Sequence, residues 1–212
     1  MPLPDPLRLA LWCLGAFLAG SIPFGLVLVK VAGKGDVREH GSGNIGATNV
    51  SRVGGKALGI VTLLLDILKG WLPVWICLRY GPGGLTVALV ALAAVLGHVF
   101  TPWLKFQGGK GVATTLGAAL AFAPLMVVPS IGIFAATLLL TRFVSLGSVL
   151  GAAALPVALV LHSAAGGPWG IGIWVLIAGI IIAKHHENIR RLLQGTESKL
   201  WGEGSKKEAP DV

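Results

Sequence analysis

Residues 112–141, VATTLGAALAFAPLMVVPSIGIFAATLLLT, carry no charged side chain and decide how often this chain crosses a membrane. At about 1.5 Å per helical residue, through a hydrocarbon core of about 30 Å, the run is too long for one ordinary crossing. Pro124 and Pro129 interrupt it, and an internal proline removes a backbone donor and kinks or ends a helix. The run therefore reads as two crossings, 112–124 and 125–141.

Working outward, the chain has 212 residues, 54% hydrophobic and 12% charged, with mean hydropathy +0.81. Water-soluble domains hold about 25% charged residues, so the chain reads as an all-α integral membrane protein. Apolar runs of roughly 20 residues, cut by Gly, Pro and charge, place further spans at 7–31, 57–79, 84–104, 145–165 and 169–187, about seven in all. The first is too long for a signal-peptide core and lacks a small-x-small cleavage site, so it reads as an uncleaved helix. Cys13 and Cys77 lie in apolar segments and read as small hydrophobes.

With seven spans, Lys34, Arg38, Arg52, Lys56, Lys105, Lys110, Arg142, Arg190, Arg191 and the tail lysines fall on one side, opposite little more than Arg8 and Arg79. The positive-inside rule then puts the N-terminus outside and the C-terminus in the cytoplasm. Trp12, Trp75 and Trp169 come near the outer interface and Trp103 near the inner one. Loops 32–56, 105–111 and 142–148 share the cytoplasmic face. The outer turns, at 81–84 and 163–168, carry no chemistry. Residues 1–195 form the membrane domain, and 196–212, rich in Lys, Glu and Gly, form a flexible cytoplasmic tail.

The cytoplasmic loops concentrate polar chemistry. GSGNIGATNVSR, 41–52, sets glycines among Ser, Asn, Thr and Arg. Glycine lets a backbone approach a ligand and present N–H groups to an anion, while Arg52 offers two parallel bonds to a phosphate or carboxylate. Gly108-Gly109-Lys110-Gly111 repeats that chemistry around a lysine. The last span ends KHHENIRR, 184–191, where a continuing helix would put His185 and Asn188 on one face, as functional groups or as interfacial caps of the helix. Together these point to a phosphorylated substrate handled at the membrane surface.

Several alternatives fail on context. Gly41-x-Gly43-x-x-Gly46 matches a dinucleotide fingerprint, but a membrane helix precedes it where a strand is required. Gly111 stands where a nucleotide-binding loop needs Ser or Thr. Ser42, Ser51, Ser145 and Ser148 sit in no nucleophile elbow. His185 and His186 point apart and lack a third ligand, so no metal is expected. Asp66 and Lys69, inside the second span, read first as an ion pair, since charges at that depth cost about 2.5–3.5 kcal/mol each; orienting an active-site group is the second reading. His98 and His162 read as structural. A transporter of a phosphorylated or organic anion is the alternative function, against which stand the absence of an internal repeat and the one-sided loops.

The same motifs, with Gly97-His98 and Val144-Ser145-Leu146-Gly147-Ser148, closely resemble the PlsY family of bacterial membrane glycerol-3-phosphate acyltransferases over residues 10–195. The resemblance implies a seven-helix fold in the bacterial inner membrane and no cofactor or nucleic-acid partner. It implies transfer of a fatty acyl group from acyl phosphate, made by a partner acyl-phosphate synthase, to the 1-hydroxyl of sn-glycerol 3-phosphate. The product is lysophosphatidic acid, the first step of phospholipid biosynthesis. It assigns catalytic roles to Ser42, Lys110, His185 and Asn188. Substrate contacts fall to Asn44, Thr48, Arg52, Gly108, Gly109, Gly111, Ser145 and Ser148. Gln107 and His186 depart from the lysine and arginine of many relatives and weaken the local positive field.

Overall fold

The computed structural model describes residues 5–161 and 167–200. His162, most of the expected turn at 163–168 and the tail from 201 onward lie outside the described residues. Those described form ten α-helices and no strand.

The first span is two helices. α1 (Pro6–Ser21) starts under Asp5, whose carboxylate accepts the Leu7 N–H at 2.9 Å, with proline at the first position, where its missing N–H costs nothing. Pro23 interrupts the run, and α2 (Phe24–Val31) completes it. A polar loop leads to α3 (Ala47–Val53), then to α4 (Lys56–Tyr80) and α5 (Leu85–Val99). The apolar run 112–141 divides at Ala123 into α6 (Val112–Phe122) and α7 (Pro124–Thr141). α8 (Val144–Leu161), α9 (Pro168–Lys184) and α10 (His186–Leu193) follow.

Among the described residues, five stretches are long and apolar enough to cross a membrane, and six if the α9–α10 pair, bent by 56°, is taken as one broken span. The seventh expected span, 112–124, is present only as the 11-residue helix α6, about 16 Å long and half a hydrocarbon core.

Small residues let these helices touch backbone to backbone, as helices do in lipid. A Cβ on Gly20 of α1 would come within 2.0 Å of the Ala94 carbonyl oxygen, and one on Gly97 of α5 within 2.1 Å of that of Phe17. α4 and α6 meet the same way, Gly70 against Thr114 and Gly117 against Ile67. The core gathers Val90, Ala91, Ala94 and Val95 of α5 with Trp174, Ile177 and Ile181 of α9. Leu125, Leu140 and Leu161 point outward, a surface suited to lipid. Cys13 and Cys77 are free thiols, as expected of small hydrophobes.

Candidate active site

The loop before α3 is organised by a residue that sequence reading left in the background. Asn49 is buried, and its side-chain amide lies within hydrogen-bonding distance of the carbonyls of Val37 (3.0 Å), His40 (3.1 Å) and Asn44 (2.9 Å). Its Oδ1 accepts the Ser42 N–H at 2.9 Å. Asn44 Oδ1 accepts the Gly46 N–H at 2.8 Å, closing the last turn before α3. Gly41 (φ +60°) and Gly43 (φ +66°) adopt the left-handed backbone this tight path needs. Ser42 and Arg52 are exposed, whereas Asn44 and Thr48 are half-buried. The signal for Asn49 was an amide inside a dense polar loop; its role shows only once the loop is closed.

Loop 105–111 sits against the end of α5. The Gly108 N–H donates to the Val99 carbonyl at 3.0 Å and the Gly109 N–H to that of His98 at 3.1 Å. These two amides are therefore engaged within the protein, which corrects the expectation that they face an anion. Gly111 (φ +87°) turns the chain into α6.

Lys110 projects from this loop to Asn188, to whose Oδ1 it donates a short hydrogen bond. The Asn188 amide nitrogen donates to Glu197 Oε1 at 2.6 Å. Ser145 Oγ donates to the same oxygen at 2.6 Å, and Arg191 Nε to Oε2 at 2.7 Å. Ser148, one turn along α8, bonds its own helix at Val144 (2.8 Å) and so supports more than it contacts. Burial pushes the Lys110 pKa down to about 8, opposed by Glu197 and Glu187 and helped by Arg191 and Arg52. The influence of Arg52 is the smallest of these. Burial raises the Glu197 pKa, but the bonds from Ser145, Asn188 and Arg191 outweigh it and hold the carboxyl below its ordinary value.

The continuous helix expected through 184–191 does not form: α9 ends at Lys184, and His185 is the hinge of the bend. His185 and Asn188 are nevertheless both buried. His185 Nδ1 lies 2.7 Å from the Ile181 carbonyl. A carbonyl only accepts, so Nδ1 carries the proton and Nε2 keeps a free lone pair. His186 and Gln107 are exposed.

Glu197 was missed altogether. It belongs to the stretch read as flexible tail, yet three side-chain hydrogen bonds hold it. Two neutral donors and a guanidinium converge on its carboxylate, with the Lys110 ammonium one amide away. Such a set can bind a phosphate and oppose charge developing on oxygen.

A helical bundle with apolar outer walls and this polar cluster defines an integral membrane protein that handles an anion. The chain belongs to the glycerol-3-phosphate acyltransferase family, whose model matches residues 10–195. It is similar to the glycerol-3-phosphate acyltransferase of Trichlorobacter lovleyi, 50% identical over 188 residues, covering 89% of this chain and 95% of that one. It is also similar to that of Geobacter sulfurreducens, 49% identical over 184 residues, covering 87% and 93%. Its fold matches a crystal structure of PlsY (YgiH), an integral membrane glycerol 3-phosphate acyltransferase, in its glycerol 3-phosphate form. That match has TM-score 0.86 and 37% identity, over 92% of this chain and 96% of that one. The lysophosphatidic acid form of PlsY matches with TM-score 0.82 and 36% identity, over 90% and 94%. The transporter alternative finds no support in these relatives.

Proposed function

We propose that this chain transfers a fatty acyl group from an acyl phosphate to the 1-hydroxyl of sn-glycerol 3-phosphate, giving lysophosphatidic acid and inorganic phosphate. The observation that carries the reading is the convergence of Ser145, Asn188 and Arg191 on one carboxylate beside Lys110, in a chain of this family. The donor reaches the site from the lipid bilayer, and an acyl-phosphate synthase supplies it. The one-sided distribution of basic residues supports a cytoplasmic site in the bacterial inner membrane, with the N-terminus outside.

An acyl phosphate is a mixed anhydride with a good leaving group, so a protein nucleophile is unnecessary. The glycerol hydroxyl oxygen attacks the acyl carbon, the bond from that carbon to the bridging oxygen breaks, and phosphate departs. The hydroxyl proton passes to a substrate phosphate, whose second pKa of about 6 suits a base at neutral pH. His185, with Nε2 free, is the competing acceptor. Lys110 and Arg52 hold phosphates; Ser42, Asn44 and Thr48 line the approach from the α3 loop. Because the Gly108 and Gly109 amides are engaged, side-chain donors such as Lys110 and Asn188 oppose the developing charge. One such donor is worth about 2.7–4 kcal/mol.

The test uses protein purified in detergent, with palmitoyl phosphate and glycerol 3-phosphate, following phosphate release and lysophosphatidic acid, with acyl-CoA as control donor. Product from acyl phosphate alone, lost in Lys110→Ala, is expected. Product from acyl-CoA would sink the donor assignment, and full activity in His185→Gln would exclude His185 as an obligate base.

A further inference from the structure

Three ionisable side chains lie buried behind the lysine loop, and the chemistry above uses none of them. Asp66 and Lys69 of α4 pair at 2.7 Å. Lys69 Nζ also donates to the Ile22 carbonyl at 2.8 Å, at the break between α1 and α2. His98, near the end of α5, turns Nδ1 toward Asp66 Oδ1 at 3.9 Å, beyond hydrogen-bonding distance, and that nitrogen has no partner. All three are at most 5% exposed. Groups of this kind are costly in a membrane, and the Asp66–Lys69 pair alone would leave no reason for an imidazole beside it.

The other side of the His98 ring supplies the reason. A Cβ on Gly109 would meet His98 Nε2 at 2.1 Å, and one on Gly108 would meet the His98 carbonyl oxygen at 2.0 Å. The same carbonyl accepts the Gly109 N–H. The backbone that carries Lys110 therefore rests directly on His98, and His98 faces the Asp66–Lys69 pair.

We propose that His98 is a positioning residue for Lys110: its ring and carbonyl, with Asp66 and Lys69 behind them, set the depth at which loop 108–111 presents the lysine to a phosphate. This rests on the reading of Lys110 as a phosphate-binding group. The glycines at 108 and 109 are then the means by which the loop seats on the ring, which replaces their expected role as anion-binding amides.

The experiment is a double-mutant cycle on the full chain in detergent, read as the Kd of glycerol 3-phosphate by calorimetry, with each melting temperature recorded. His98→Leu keeps an apolar filler of similar size and is expected to weaken binding at least about tenfold where Lys110 is present. In a Lys110→Met background the same change is expected to cost less than about twofold, since positioning acts only through the lysine. Equal fold-losses in both backgrounds, or no loss in the first, would overturn the proposal. If His98→Leu does not fold, Gly109→Ala takes its place, because it pushes the loop off the ring and leaves every ionisable group intact. The same pair of results is expected from it. Binding is read without an acyl donor, so failed turnover with palmitoyl phosphate would reject the donor and leave the cycle standing. A wild-type chain that binds neither glycerol 3-phosphate nor inorganic phosphate would overturn both readings.

Discussion

Lys110 gives the sharpest pH prediction. With a pKa of about 8, it is charged in about nine of ten molecules at pH 7 and in about one of ten at pH 9. Burial has lowered the value, so the charge is present below about 8 and lost above it. A lysine at its ordinary value near 10.4 would stay charged across that window. If the charged ammonium is what holds a phosphate, kcat/KM falls about tenfold from pH 7 to pH 9, equivalent to about 1.4 kcal/mol. The substrate phosphates, with second pKa values of about 6, are already dianions there and add nothing to the alkaline limb. The assay is initial phosphate release at subsaturating glycerol 3-phosphate across this range, for wild type and Lys110→Arg. Arginine cannot deprotonate in this window, so whatever activity that variant keeps should lose the alkaline fall. A flat wild-type profile, or the same fall in Lys110→Arg, would refute the role of the lysine charge.

Other outcomes follow from the same geometry. Glu197→Gln keeps the shape but removes the charge from the bonds to Ser145, Asn188 and Arg191. It should destabilise the fold by about 1.5–3 kcal/mol, seen as a lower melting temperature; an unchanged melt would show that the contact contributes nothing. Because the native carboxyl is held below its ordinary value, its stabilisation is present above the unfolded-state pKa. That contribution should fade as pH drops through the native value, which an acid titration of the wild-type melt tests against Glu197→Gln. Asn49→Leu strips the partners from the loop carbonyls, and each buried group left unsatisfied costs about 1–3 kcal/mol. A higher KM for glycerol 3-phosphate and faster proteolysis within 40–46 are expected, and wild-type values for both would count against the hub. Gln107→Lys adds a charge at an exposed position, so glycerol 3-phosphate should bind less than about threefold tighter, with the gain erased at about 0.5 M salt.

What the sequence disclosed was whatever acts locally. Proline interrupts a helix wherever it stands, so the division of 112–141 was legible from Pro124, and the structure places it at Ala123. Lys110 stood out as a lysine among three glycines in so apolar a chain, whereas Asn188 and Ser145 were assigned through the family resemblance alone. The bend at His185 was not legible, since no proline or glycine marks it. Nor were the engaged amides of Gly108 and Gly109, since residue type does not reveal which carbonyl a backbone N–H meets. Glu197 stayed hidden for a third reason. A carboxylate in a stretch rich in Lys, Glu and Gly looks like any solvated charge until the chain folds back onto Ser145.

The inequality of α6 and α7 has a consequence for the loop between α5 and α6. α6 has 11 residues and α7 has 18, so at about 1.5 Å per residue α6 is about 10 Å the shorter. The loop ahead of α6 is not free: its Gly108 and Gly109 amides bond the carbonyls of Val99 and His98 at the end of α5. A truncated helix and a moored loop act as one bracket, and Lys110 takes its place from a neighbouring helix instead of from the reach of its own.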